Sequence, residues 1–157
     1  MDALTSELDY PMVIVTTIAD GERSGCLVGF HTQCSIHPAR WAVWISRANH
    51  THRLAKRASM LAVHFPSVED RDLAELFGEA TGDDVDKFAH CEWTEGPDGV
   101  PLLDRIPNRF VGHVRDTLDD DCDHQCFIVD MPDVQHAHPL RQLGFQAVRG
   151  IEPGHPA

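Results

Sequence analysis

The sequence predicts a mainly β domain with short helices, folded into a barrel of the closed or partly closed kind. Three observations lead there. Seven short runs rich in β-branched or aromatic residues are spread along the chain, at 12–18, 23–30, 41–46, 60–65, 100–103, 110–117 and 125–131. Turn signals such as Asp20-Gly21 and Gly96-Pro97-Asp98-Gly99 separate them. Only two segments carry a helical pattern, and both are short.

In chain order, Met12–Ile18 lies between Pro11 and the Asp20-Gly21 turn and reads as a buried strand. Residues 23–30 return as its partner, with Gly25 and Gly29 marking a close backbone approach or a bulge. His31–Ser35 reads as a polar loop, and Trp41–Ser46 as a third strand beginning after Pro38. Asn49 or Thr51 caps a helix reaching Ala58, with Leu54, Ala55 and Ala58 inward. Met60–Phe65 is another strand. Glu69–Phe77 is helical, with Leu73, Leu76 and Phe77 on one face and acids in the first turn.

Phe110–Thr117 and Gln125–Met131 read as a hairpin around the acidic loop Asp119–Asp123. The tail from His136 is rich in His, Pro and Gly, yet Leu140, Leu143, Phe145, Val148 and Ile151 are available for packing. Trp41, Trp44 and Trp93 read as core residues, and Cys26, Cys34 and Cys91 as small buried hydrophobes. With 157 residues and no linker or repeat, the expectation is a single domain over 1–157.

Charge is distributed unevenly. The chain holds 25 Asp and Glu against 13 Lys and Arg, a net −12, which argues against a nucleic-acid or membrane-surface protein. Yet Arg23 to Val68 contains no acid at all, while holding six cations and five histidines. An acid-free stretch in an acidic protein suits an anion. Within it, Arg47, Asn49 and Thr51 sit at a helix N-terminus, with Arg53 one turn on. Backbone N–H groups, hydroxyls and guanidinium groups are what a phosphate needs.

Five cysteines without CxxC spacing, and an N-terminus without a basic start, apolar core or cleavage site, suggest a cytoplasmic protein with reduced thiols. Cys122, Cys126, His136 and His138 match no standard zinc spacing, so no metal is expected. Neither GxGxxG nor a P-loop occurs, which excludes the usual dinucleotide fold but not nicotinamide use on a barrel.

The motifs fall in an order that resembles the flavin reductase-like family of FMN-binding split β-barrels. They are Pro11, Val15-Thr-Thr17, Gly25-Cys-Leu-Val-Gly-Phe-His-Thr-Gln-Cys-Ser35, Pro38, Ser46-Arg-Ala-Asn-His-Thr51, Leu76-Phe-Gly78, Asp86-Lys-Phe88, Trp93, Gly99-Val-Pro-Leu-Leu103 and Cys122-Asp-His124. The resemblance spans about residues 10–135, with 136–157 an extension that completes the domain or a dimer.

It implies that FMN, or FAD, lies on the segment His31, Thr32, Gln33, Cys34 and Ser35, beside Thr16, Cys26, Leu27 and Val28, with Lys87 and Phe88 at its border. It implies a phosphate held by Ser46, Arg47, Asn49, Thr51 and Arg53, and His124 as the catalytic-site residue near the nicotinamide of NADH or NADPH. The family often has Thr or Ser where Leu27 stands, and Gly where Cys122 stands.

The resemblance further implies hydride transfer from nicotinamide to flavin in a homodimer, with a separate monooxygenase as possible recipient of the reduced flavin. The alternative reading is a flavin-binding electron carrier or storage protein without nicotinamide oxidation. A deazaflavin or a haem in the same barrel is a third.

Overall fold

A computed structural model describes residues 2–79 and 84–154. After a one-and-a-half-turn helix, α1 (Ala3–Glu7), capped by the Asp2 carboxylate, the chain enters the hairpin β1 (Val13–Ala19) and β2 (Glu22–Val28). Asp20 and Gly21 make the turn at φ 52 and 77, a left-handed pair that Asp tolerates and Gly favours.

A second hairpin follows, β3 (His31–Ile36) and β4 (Ala39–Ser46). The segment expected as a polar loop is therefore a strand. It is polar because it forms the edge of the sheet, with Thr32, Gln33 and Cys34 facing solvent, and a bulge between Gln33 and Ser35 interrupts its register with β4. Helix α2 (His50–Ala55) is capped by Asn49, whose side chain accepts from the Thr51 N–H.

β5 (Met60–His64) leads into a one-turn 3-10 helix with a Ser67/Asp70 capping box, and then α3 (Arg71–Glu79). β6 (Trp93–Glu95) and β7 (Pro101–Leu103) form a small hairpin. The long strands β8 (Arg109–Leu118) and β9 (His124–Asp130) flank the acidic turn, and α4 (Phe145–Val148) closes the described chain.

The seven long strands make one antiparallel sheet in the order β2-β1-β5-β8-β9-β4-β3. Strand β8 curls it: residues 109–113 pair with β5, and from Val114 the same strand pairs with β9, with an irregularity between Val114 and Asp116. As a result one face of six strands meets itself. Val13 and Val15, Cys26 and Val28, Val43 and Ile45, Leu61 and Val63, and Phe127 and Val129 enter one core at the period of two that strands impose, joined by Phe110. Each fully buried Val, Ile or Phe contributes about 1.5–3 kcal/mol relative to exposure, so this interior drives closure.

The outer face of β1 is covered too, with Ile14 packed against Leu73 and Phe77 of α3 and against Phe88. Gly25 allows that approach, since a Cβ there would stand 2.8 Å from Phe77 Cε1. Buried His64 on β5 ties three segments together. The Leu103 N–H donates to its Nε2, so the proton sits on Nδ1 and is donated to the Ile14 carbonyl. Burial pulls its pKa down to about 3, which keeps it neutral.

The tail packs as expected, with Leu143 and Val148 buried beside Met12 and Ala74. Trp41 and Trp93 pack against the core as expected, and Trp44 departs from expectation. All three are half-buried, and Trp44 faces a cleft instead of the core. Cys34 is exposed and Cys91 half-buried, leaving Cys26 as the fully buried one of the three. Among the described residues no helix is long and apolar enough to cross a membrane.

Candidate functional site

Where β2 and β4 end, the barrel opens into an apolar cleft. Leu27, Val28 and Gly29 from β2 and its exit, Phe30, and Trp44, Ile45 and Ser46 from β4 form one part of its lining. The inner cavity, about 200 Å³, continues into a wider one of about 640 Å³, which Phe77, Gly78, Val148 and Ile151 also border. Tyr10, Phe30 and Phe145 are linked by edge-to-face contacts at 6.3 and 5.7 Å.

His124 begins β9 directly opposite Ser46, which brings it into this cleft. Its ring stands 5.1 Å from that of Phe30, and its Nδ1 is 2.7 Å from the Asp123 carboxylate. Asn49 and Ser46 supply an amide and a hydroxyl at the same end.

A second, polar pocket of about 380 Å³ lies further back along β2, lined among others by Arg23, Ser24, Gly25, His50, Lys87 and Phe88. Lys87 is its most informative member. The side chain is only 4% exposed, and its Nζ donates to two neutral acceptors, the Gly25 and Phe77 carbonyls, at 3.0 and 2.9 Å. Among the described residues it has no carboxylate partner. Burial pulls its pKa below the ordinary lysine value, and the nearby Cys26 works the other way. Burying an ammonium without an anion is costly, and here the two carbonyls offset part of that cost. Of the carboxylates here, Glu22 is 2.9 Å from His50, Asp86 caps the Phe88 N–H, and Asp84 is exposed.

Strand geometry joins the two pockets. In an antiparallel strand the N–H and C=O of one residue point the same way. The Gly25 carbonyl meets Lys87, so it points away from β1, and Leu27, two residues on, also turns its N–H and C=O to the open edge of β2. These backbone groups, the aromatic cleft beyond them and the unpaired ammonium behind them form a donor set that fits a flavin nucleotide. Two residues of strand span about 7 Å, comparable with the reach of a five-carbon ribityl chain.

The structure brings Cys26, Leu27, Val28, Ser46, Asn49 and His124 to one cleft, and Lys87 and Phe88 to the pocket behind it. Other expected residues lie elsewhere. Thr16 is buried and donates its hydroxyl to the Pro101 carbonyl at 2.6 Å. Thr51 shares a hydrogen bond with Ser24 at 2.8 Å, and so supports the polar pocket from beneath. Thr32, Gln33, Cys34 and Ser35 belong to the edge strand and line neither pocket.

His31 bonds the Pro11 carbonyl at 2.6 Å and stacks on Trp41, and burial lowers its pKa. Arg53 lies 3.0 Å from His50 Nδ1 on the exposed side of α2. Arg47 departs most from expectation. Its guanidinium clamps the acidic loop, donating to Asp119 Oδ1 at 2.9 Å and to the Cys122 and Asp120 carbonyls. The acid-free block thus meets an acid from 72 residues away.

Sequence reasoning missed Arg23, Ser24 and His50 in the polar pocket, and Tyr10, Phe30, Trp44, Phe145 and Arg149 around the cleft. Arg23 and His50 carried a usable signal, since both lie within the acid-free block.

Comparisons with known proteins give the family and the fold. The model of the flavin reductase like domain family matches residues 5–149. A ferric-chelate reductase (NAD(P)H) of Archaeoglobus fulgidus is 24% identical over 133 residues, which cover 82% of this chain and 77% of that protein. An FMN reductase (NADH), RutF, of Stutzerimonas stutzeri is 30% identical over 91 residues, covering 58% of this chain and 52% of its own length. The crystal structure of a flavin reductase domain protein from an Arthrobacter species superposes with a TM-score of 0.81 at 18% identity, covering 90% of this chain and 86% of that one, a likeness of fold. The curled antiparallel half-barrel and the match over residues 5–149 together place this chain in the flavin reductase-like domain family.

Proposed function

We propose that this chain is a flavin reductase that binds FMN, or alternatively FAD, along the edge of β2 and oxidises NADH or NADPH. The observation that carries the reading is buried Lys87, an ammonium without an anion at the back of a strand edge whose other end opens into an aromatic cleft. The names of the curated relatives support the same chemistry.

A bound flavin supplies a two-electron acceptor for the hydride of a dihydronicotinamide. The protein's own residues do the rest. Lys87, Arg23, Ser24 and His50 hold the phosphate. The Leu27 backbone, Ser46 and Asn49 orient the ring edge, and Tyr10, Phe30, Trp44 and Phe145 exclude water from it. Asp123 fixes His124 by its Nδ1, which leaves Nε2 as the nitrogen available to the second substrate.

Two further points belong to the same proposal. The chain works as a homodimer joined through β3, an edge strand beside which Phe30 and Ile36 stand 43% and 72% exposed. It acts in the cytoplasm, in keeping with five free thiols, and delivers its reduced product to a separate monooxygenase.

The test is anaerobic. Addition of NADH or NADPH to the flavin-loaded protein bleaches the visible absorbance stoichiometrically. Binding without bleaching by either nucleotide eliminates the reductase and leaves a carrier or storage protein.

A further inference from the structure

We infer that Arg149, on the C-terminal segment, receives the pyrophosphate of the hydride-donating dinucleotide, an assignment that rests on the reductase reading above. The wider cleft is bordered by Phe145, Val148, Arg149 and Ile151 as well as by the barrel. Of its lining residues, Arg149 is the sole Lys or Arg, and among the described residues its side chain has no hydrogen-bond or ion-pair partner. The neighbouring carboxylates are committed: Asp123 bonds His124, and Asp2 accepts from the Thr5 N–H as the cap of α1.

The base of Arg149 is held from several sides. Val148 is buried beside Met12, Ala74 and Leu143, Arg71 donates to the Ala147 carbonyl at 2.9 Å, and the Gln146 N–H donates to Asp9. An exposed guanidinium on a pinned backbone is a pre-organised anion contact.

Charge explains why the cleft needs it. A dinucleotide carries two negative charges on its pyrophosphate, and it approaches a protein of net −12 past the acidic run Asp119–Asp121 and Asp123. Arg47 neutralises part of that run but is tied to it. Arg149 is the cation left to meet the incoming phosphates. Since the pyrophosphate lies away from the reacting carbon, the contact strengthens ground and transition states equally, so its loss raises KM and spares kcat.

The experiment uses the full flavin-loaded chain and its Arg149→Gln and Arg149→Glu variants. They are assayed with NADH, NADPH and N-benzyl-1,4-dihydronicotinamide, a donor without phosphate, and flavin affinity is measured alongside. Expected is a KM increase of roughly tenfold for Gln and on the order of a hundredfold for Glu with both dinucleotides. Flavin affinity, kcat and kcat/KM for the benzyl donor stay within about twofold, and salt raises the wild-type KM but not that of the Gln variant.

An equal loss with all three donors marks Arg149 as structural and overturns the assignment, as does wild-type behaviour of both variants. In those two cases a wild type that oxidises the dinucleotides leaves the reductase reading standing. A wild type that binds flavin but oxidises no donor removes both.

Discussion

Replacing Lys87 by Met probes the polar pocket by removing its buried ammonium. Met is unbranched, apolar and only slightly shorter, so most of the space that the buried lysine stem occupies stays filled. Two effects on stability oppose each other. The Gly25 and Phe77 carbonyls lose a charged donor, at about 1–3 kcal/mol each. Against that, the folded state no longer buries an ammonium without an anion. A net loss of about 1–3 kcal/mol leaves an ordinary domain folded.

Binding is affected in one direction only. Hydrogen bonds to charged groups contribute about 1.5–3 kcal/mol, so FMN affinity falls by roughly one to two orders of magnitude. Riboflavin lacks the phosphate, and its affinity changes by less than about threefold. Equilibrium fluorescence titration of wild type and variant with both ligands, beside a urea melt, gives all four numbers. If FMN and riboflavin weaken together, Lys87 acts by supporting β2, and if neither weakens, the phosphate does not lie in this pocket.

Other outcomes follow from the same structure. His64 is neutral when folded, with its pKa near 3 against about 6.5 in the unfolded chain, so on acidification the unfolded state takes up the proton first. Its contribution is complete above about pH 6.5 and falls towards pH 3 by up to about 1.4 kcal/mol per unit, which urea melts of wild type and His64→Gln at several pH values measure as a steeper slope for wild type. Gly25→Ala places a Cβ 2.8 Å from Phe77 Cε1 and 3.1 Å from Thr16 Cγ2, both in packed surroundings, and is expected to lose about 1–3 kcal/mol in a thermal melt. Arg47→Ala frees the Asp119–Asp123 turn, so amide exchange there accelerates while FMN affinity moves by less than about threefold. Asp130→Asn weakens a carboxylate held below its usual range by Arg115 and the His113 N–H, and lowers the melting temperature by several degrees.

The strands that line the core were legible as short runs rich in β-branched and aromatic residues. In the fold, Val13 and Val15, Val43 and Ile45, and Leu61 and Val63 enter one core, but β1 and β5 are buried on both faces and read as continuous apolar runs. The Asn49 cap and the helical face of Leu73, Leu76 and Phe77 were equally legible, because caps and faces are local. Strand β3 was not. An edge strand with three solvent-facing polar residues has the composition of a loop, and its pairing with β4 is a non-local fact.

The surroundings of the acid-free block were hidden from the sequence for a related reason. The acid-free block pointed to an anion, yet sequence proximity cannot reveal that Arg47 meets Asp119, Arg57 meets Asp20, or His50 meets Glu22. Each of those acids lies outside the block and folds back onto it. The polar pocket draws on residues 21–25, 50 and 84–88, and only the family resemblance pointed to Lys87 in advance. The cleft aromatics are similar, since Tyr10 and Phe145 are brought together from opposite ends of the chain by the bridge between Pro11 and Gly144.

The most direct measurement is a crystal structure of the protein with FMN. The account predicts the ring against Phe30 and the Leu27 backbone, and a phosphate oxygen within hydrogen-bond distance of Lys87 Nζ. A phosphate beside Arg47 and Arg53, with Lys87 still bonded only to the Gly25 and Phe77 carbonyls, would contradict it.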